Sequence, residues 1–244
     1  MTTSPQDRAS IGRPLLALIP GAGSDPGYWQ PLRAALGAVG LDSVAVDLPC
    51  ADDSADLRAY ADAVLAVTAD HPGDVVLVAH SFGAFTAPLA AQRLASARLV
   101  LLSAMVPRPG EAPGDWWEAT GQAAARRDAD LAANREPDDS LEALFYNGLT
   151  PAQLEQASSW DRPQSGTPFG APWPLPAWPD VPTTVLAFAD DRLFPPAFQR
   201  RIAADRLGLG LGLVPGGHMG MISHPRPLAA TLARIVGEGS DTAS

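Results

Sequence analysis

Cysteine is almost missing from this chain: Cys50 stands alone among 244 residues. No internal disulfide framework and no thiolate metal site can be built, so a reducing, intracellular compartment is expected. Lysine is missing altogether, all 17 basic residues being arginine, and Schiff-base or lysine-assisted chemistry goes with it. Against them stand 27 acidic residues and a formal charge of −10, which opposes contact with the phosphates of nucleic acid or anionic lipid. No apolar run approaches the roughly 20 residues of a membrane span. The start, Met1 to Arg13, is polar with no apolar signal core. The glycine-rich turn Gly21-Ala22-Gly23-Ser24 lacks both the G-x-x-x-x-G-K-[ST] and the G-x-G-x-x-G spacing, so a nucleotide site there is not expected. No H-E-x-x-H or comparable ligand spacing occurs, and neither a metal nor a cofactor is expected.

What is present is a globular composition, 46% hydrophobic and 18% charged, in a length that suits one α/β domain with an inserted element. Short apolar runs that read as strands buried on both faces alternate with helix-like stretches. The strands are Pro14 to Pro20, Ser43 to Asp47, Val75 to Ala79, Leu99 to Ser103, Thr183 to Phe188 and Leu211 to Val214. The helices are Tyr28 to Val39, Ala55 to Thr68, about Gly83 to Ala95, Phe198 to Leu207 with its arginines outward, and Leu228 to Val236. Such alternation implies a parallel sheet covered on both sides. No internal repeat is seen.

The character changes over residues 105–180, which carry Pro107, Pro109 and Pro113, helix-like pieces at Trp116 to Arg127 and Ser140 to Leu144, and every tryptophan except Trp29. The expected organisation is a loose N-terminus at 1–13, a core at 14–104 and 181–237, a lid or cap at 105–180, and a polar tail at 238–244. The aromatic residues of the cap either face an apolar substrate or form a small satellite core.

The run Val75-Val76-Leu77-Val78-Ala79-His80-Ser81-Phe82-Gly83 halts a buried strand at a serine set among small residues before a helix begins. A serine at such an apex projects its hydroxyl, and the amides that follow point from a helix start toward any oxyanion formed beside it. Ala79 stands where the G-x-S-x-G pattern has its first glycine, and Gly83 fills the last. Further along, Asp191 and His218 also lie just after strands. Serine, acid and histidine in that order, each after a strand of a parallel sheet, are what a hydrolytic triad requires, because those strand ends open onto one edge. His71 reads as a solvent-facing loop residue, His80 as a packed neighbour of the serine, His224 as a helix-entry residue and Asp47 as a turn organiser.

The chain resembles an α/β-hydrolase, and more narrowly the esterase branch that includes plant methylesterases and hydroxynitrile lyases. The residues that carry the resemblance are Ile19-Pro20-Gly21-Ala22-Gly23, Val46-Asp47-Leu48-Pro49, Ala79-His80-Ser81-Phe82-Gly83, Ala104-Met105-Val106-Pro107-Arg108-Pro109-Gly110, Phe145-Tyr146 and Gly217-His218-Met219-Gly220-Met221-Ile222-Ser223-His224-Pro225. The resemblance implies an α/β-hydrolase fold, a mostly parallel sheet with helices on both faces and a helical lid inserted after the strand that follows the nucleophile helix.

With the local chemistry, it assigns Ser81 as nucleophile, His218 as general base and Asp191 as the acid that orients it. Asp190 competes for the last role, but Asp191 leads Arg192-Leu193-Phe194-Pro195, which matches the family's spacing of acid to proline. The family pattern puts the oxyanion hole at the backbone amides of Phe82 and Ala22. Pro20 replaces the family's usual histidine, which leaves the donor in place and changes what can brace the loop. Trp116, Trp117 and Phe145 are the expected substrate-binding residues.

The expected function is a serine hydrolase acting on a small or medium, apolar or aromatic carboxylic ester, lactone or thioester. A lyase of the related kind uses a lid lysine, which this chain lacks. A ligand-binding protein with little turnover and a carbon–carbon bond hydrolase or cyclase remain as alternatives. The expected partner is a small-molecule substrate, with no nucleic acid and no membrane, for a soluble cytoplasmic monomer or homodimer.

Overall fold

A computed structural model describes residues 12–241 of the chain. Six strands form the sheet: β1 (Leu15–Ile19), β2 (Asp42–Ala45), β3 (Val75–His80), β4 (Ala97–Leu102), β5 (Thr183–Phe188) and β6 (Gly212–Val214). All neighbours pair in parallel, in the order β2-β1-β3-β4-β5-β6. The chain leaves β1 on one side to make β2 and returns on the other to make β3. The carboxyl ends of β1 and β3 therefore flank the point where the strand order reverses, which is where open parallel sheets place their ligands. The pairing of Ile19 with Ala79 ends the two strands side by side.

Helices α1 (Gln30–Ala38), α2 (Leu57–Thr68) and α3 (Ala87–Ala91) follow the first strands. The cap holds α4 (Trp116–Thr120), α5 (Gln122–Ala132), α6 (Leu141–Phe145), α7 (Pro151–Ser158) and α8 (Thr167–Gly170). Then come α9 (Pro196–Leu207), α10 (Gly220–Ser223) and α11 (Pro225–Asp241).

Because side chains alternate across a strand, each strand feeds two cores. Leu16, Leu18, Val76, Val78, Val100 and Leu102 pack with Leu32, Leu36, Leu228 and Leu232 of α1 and α11. Ala17, Ile19, Val75, Leu77, Leu99 and Leu101 pack with Tyr60, Val64 and Ile202 of α2 and α9. This double burial is why the strands read as continuous apolar runs.

Several elements differ from the expectations. The helix expected at 83–95 is a 3-10 turn, Ser81–Phe85, followed by the short α3. Pro88 has no N–H to give to the carbonyl four residues back, so an unbroken helix cannot start at Gly83. The piece expected at 116–127 is two helices, split where Gly121 adopts φ 63°. Helix α7 was not expected, although Thr150 and Gln153 make a capping box at its start.

The closing helix runs through 238–241, which were expected as tail; Arg234 and Glu238 pair at 2.8 Å one turn apart and carry it on. The remainder of that tail and residues 1–11 of the expected loose start lie outside the described residues. Arg206 of α9 is not outward, because Glu111 of the cap draws it into a buried pair, with Nη2 to Oε1 at 2.8 Å. Among the described residues no helix is long and apolar enough to cross a membrane.

Candidate active site

Strand β3 runs directly into Ser81, whose φ of 52° lies in the left-handed region. A non-glycine residue held there costs about 1–3 kcal/mol and persists only where its surroundings enforce it. Here the carbonyl of Ser81 accepts the Met105 N–H at 3.0 Å, and the 3-10 turn begins at once. Gly83 lets the turn lie on the end of β1: a Cβ there would meet the Pro20 carbonyl oxygen at 2.7 Å and that of Ile19 at 3.0 Å. A second strained serine, Ser103, which no sequence pattern announces, stands just past the end of β4. Its φ is 43° and its Oγ accepts the Phe188 N–H at 3.1 Å, joining β4 to β5.

Asp191 follows β5 and is buried, whereas Asp190 is exposed. One carboxylate oxygen of Asp191, Oδ1, accepts the Leu193 and Phe194 amides, each at 2.9 Å; the other, Oδ2, stands 2.9 Å from Nδ1 of His218. His218 follows β6 in a loop built for glycine. A Cβ on Gly217 would lie 2.3 Å from the Asn147 carbonyl oxygen, and Gly216 adopts φ 116°. The rings of Phe194 and Phe145 meet His218 edge-on, with centroids at 5.2 and 5.5 Å. Its second nitrogen, Nε2, is buried with no hydrogen-bond partner among the described residues.

Ala22 lies in the turn after β1. The amide of Gly21 on one side is taken by Tyr28 Oη at 3.1 Å, and that of Gly23 on the other by Gln164 Oε1 at 2.9 Å. Neither the Ala22 nor the Phe82 amide has an acceptor among the described residues. Sequence reasoning missed what holds this turn, a strap from the cap. The Arg162 amide donates to the Gly23 carbonyl at 2.7 Å, and the Asp25 amide to that of Trp160 at 2.7 Å. The Arg162 guanidinium pairs with Asp25 and, at 2.6 Å, with Asp47. Asp47 therefore binds the strap rather than only shaping its own turn.

These elements line a partly open cavity of about 90 Å³. Ser81, His218, Ala22 and Phe82 line it, with Trp117, Phe145, Phe169, Met105, Leu193 and Met219 as apolar walls. Phe169 stacks on Phe82 with centroids 4.4 Å apart. Ser81 Oγ has no hydrogen-bond partner among the described residues, so serine and imidazole share the cavity without being joined.

Of the expected substrate-binding residues, Trp117 and Phe145 are at the cavity and Trp116 is not. Trp116 is buried against Phe194 and Phe198 and donates its indole N–H to the Val106 carbonyl at 3.0 Å, which turns it into the core. Trp173 is likewise core, with its indole N–H on the Phe85 carbonyl at 3.0 Å. His71 bonds the Arg13 carbonyl at 2.8 Å, and His224 bonds Ser223 at the entry to α11.

Among curated proteins the chain is similar to the alpha/beta hydrolase nvfD of Aspergillus novofumigatus, 25% identical over 93% of this chain and 98% of the relative. Among solved structures it is similar to polyneuridine aldehyde esterase, with a TM-score of 0.74 at 22% identity over 92% of this chain and 99% of that one. A methylesterase from Arabidopsis superposes with a TM-score of 0.70 at 21% identity, over 91% of this chain and 98% of its own. Residues 16–231 match the model of the alpha/beta hydrolase family, a span that runs from β1 into the closing helix and takes in every strand-end residue described above. The expectation raised by the serine turn and the histidine loop therefore stands, and the chain belongs to the alpha/beta hydrolase family.

Proposed function

We propose that the chain is a serine hydrolase that cleaves a small, uncharged carboxylic ester, or a lactone or thioester, through an acyl-enzyme. The observation that carries this reading is His218, bound through Nδ1 to Asp191 at 2.9 Å and left with an unpartnered Nε2 in the cavity that Ser81 also lines. An imidazole whose Nδ1–H is held by a carboxylate has its lone pair on Nε2, the form a general base needs. Hydrogen bonds between base and nucleophile are commonly loose before substrate arrives.

In the proposed cycle Ser81 Oγ attacks the carbonyl carbon as its proton passes to Nε2 of His218. The oxyanion forms against the amides of Phe82 and Ala22. Collapse expels the alcohol, which takes the proton back from His218, and water repeats the sequence on the acyl-enzyme to release the acid. Asp191 stabilises the imidazolium throughout.

The walls contain no charged side chain to meet an ionic substrate. The volume, about 90 Å³, is below the roughly 150 Å³ of an apolar cavity that admits benzene. A short aliphatic group therefore fits inside the site, and a larger or aromatic group extends through its open side or displaces Trp117, Phe145 or Phe169. The names of the similar esterases agree with ester cleavage.

The test is labelling with a fluorophosphonate probe, read by intact mass and peptide mapping, beside Ser81→Ala and His218→Ala. One adduct on Ser81, lost in both variants, is expected. Folded protein that takes no label would overturn the assignment and favour a ligand-binding role.

A further inference from the structure

We propose that His80 and Tyr28 are positioning residues that lock the turn carrying the Ala22 amide to the loop carrying His218, so that oxyanion donor and base keep one mutual geometry. This rests on the hydrolase reading for its kinetic consequence and on the structure alone for the coupling.

Three hydrogen bonds run in series. The Gly21 amide donates to Tyr28 Oη at 3.1 Å, Tyr28 Oη and His80 Nδ1 are 3.2 Å apart, and His80 Nε2 is 3.1 Å from the His218 carbonyl oxygen. The two ends fix the direction of the whole chain. A backbone N–H can only donate and a backbone carbonyl can only accept, so His80 carries its proton on Nε2 and accepts the hydrogen bond of the Tyr28 hydroxyl at Nδ1. Neither nitrogen of His80 is then free to act as a base.

Burial keeps both groups neutral: it pushes the Tyr28 phenol well above its ordinary range and holds the His80 imidazole well below its own, with His218 beside it adding to the cost of charging the ring. Every donor and acceptor in the series is used once, and the rings leave little slack. Trp29 stacks on Tyr28 at 4.7 Å and sets its edge on His80 at 6.2 Å, while His80 and His218 are 4.6 Å apart.

The turn at the other end is equally tight. A Cβ on Gly21 would stand 3.2 Å from Cβ of Ser81 and 3.4 Å from Nδ1 of His80. His80 ends β3 and Ser81 opens the turn that follows with φ 52°. Both border the cavity, and the His80 ring spends its two nitrogens on Tyr28 and the His218 loop. With Pro20 beside the turn, the Tyr28 hydroxyl takes the neighbouring amide and leaves that of Ala22 for substrate.

Tyr28→Phe, His80→Phe and His80→Gln test this, with two readouts. The first is steady-state hydrolysis of p-nitrophenyl acetate, expressed per site titrated with fluorophosphonate. The second is amide hydrogen exchange in peptides covering residues 16–28 and 214–222. Misplacement of reacting groups by a fraction of an ångström to one ångström costs up to about a hundredfold. Tyr28→Phe and His80→Phe are therefore expected to lower kcat about ten- to a hundredfold with KM within about twofold.

His80→Gln can still reach the His218 carbonyl with an amide N–H, and is expected to recover part of that loss. Tyr28→Phe is also expected to speed exchange in 214–222, two links away, as well as in 16–28. Exchange that changes only in 16–28, with kcat per titrated site unchanged or KM alone altered, would return His80 to plain packing. If the wild type neither labels nor hydrolyses the ester, the hydrolase reading fails, and the exchange pattern still decides whether the two loops are coupled.

Discussion

Replacing Asp191 with asparagine separates the acid's role as a brace from its role as a charge. In the wild type Oδ1 accepts two backbone amides and Oδ2 faces His218 Nδ1, all at 2.9 Å. Asparagine has nearly the same volume and only one acceptor oxygen. The Leu193 and Phe194 amides claim it, because two buried N–H groups left without an acceptor would cost about 1–3 kcal/mol each. The side-chain NH₂ then faces His218, and a donor at that place forces Nδ1 to become an acceptor. The imidazole proton moves to Nε2, where a base needs its lone pair.

The same change in a serine protease lowers kcat about ten-thousand-fold, and a loss of that order is expected here. Stability should fall by only about 1–2 kcal/mol, since charge-assisted bonds become neutral ones without being broken. The assay is kcat on p-nitrophenyl acetate together with urea unfolding. Asp190→Asn serves as the control; its side chain is exposed and its carbonyl is held by Asn147 at 2.8 Å, so kcat should change by less than about twofold. A folded Asp191→Asn protein within tenfold of wild-type kcat would refute the tautomer argument.

Two other perturbations follow from the half-buried Gln164 and the buried His80. Gln164→Ala removes the acceptor of the Gly23 amide and the bond to Tyr60 Oη at 3.0 Å, so stability should drop by about 1–3 kcal/mol and kcat should fall more than KM changes; a variant with wild-type kcat would show that the strap does not hold the turn that carries the Ala22 amide. Because burial lowers the His80 pKa in the fold, only the unfolded chain takes up that proton as the pH falls through about 6.5. Stability is thus fully present above that pH and is lost on acidification, by about 1.4 kcal/mol between pH 7.5 and 5.5 from this group. Urea titrations of the wild type and His80→Phe should differ by that amount across the window, and equal losses would mean that His80 protonates within the fold.

What the sequence made legible follows chain-local rules. β-strands buried on both faces are short apolar runs, and a residue that follows such a run stands at a strand end. Ser81, Asp191 and His218 could therefore be brought to one edge without knowing any long-range contact. The walls of the cavity obey no such rule. Trp116 and Trp117 are adjacent on a helix and face directions about 100° apart, but which one meets the cavity depends on how the cap is seated. Arg206 holding Glu111 and Val106, and Arg201 bonding the Thr120 carbonyl at 2.6 Å, decide that seating.

The strap at Arg162 and Gln164 is equally invisible, because it lies in irregular chain and meets the turn after β1 across more than a hundred residues. Helix α7 was legible in principle through its capping box, yet only Ala157 of it is buried, so no apolar stripe announced it. Ser81, Asp191 and His218 are thus placed by the ends of sheet strands, whereas Trp117, Phe145 and Phe169 are carried by the cap and placed by how it is seated. Substitutions in that cap can alter which acyl or alcohol group enters without displacing Ser81, Asp191 or His218. A panel of esters graded in acyl length, run on Trp117→Ala, should accordingly shift in preference toward longer chains while the fluorophosphonate adduct stays on Ser81; an unchanged preference would mean that the cavity wall does not select the substrate.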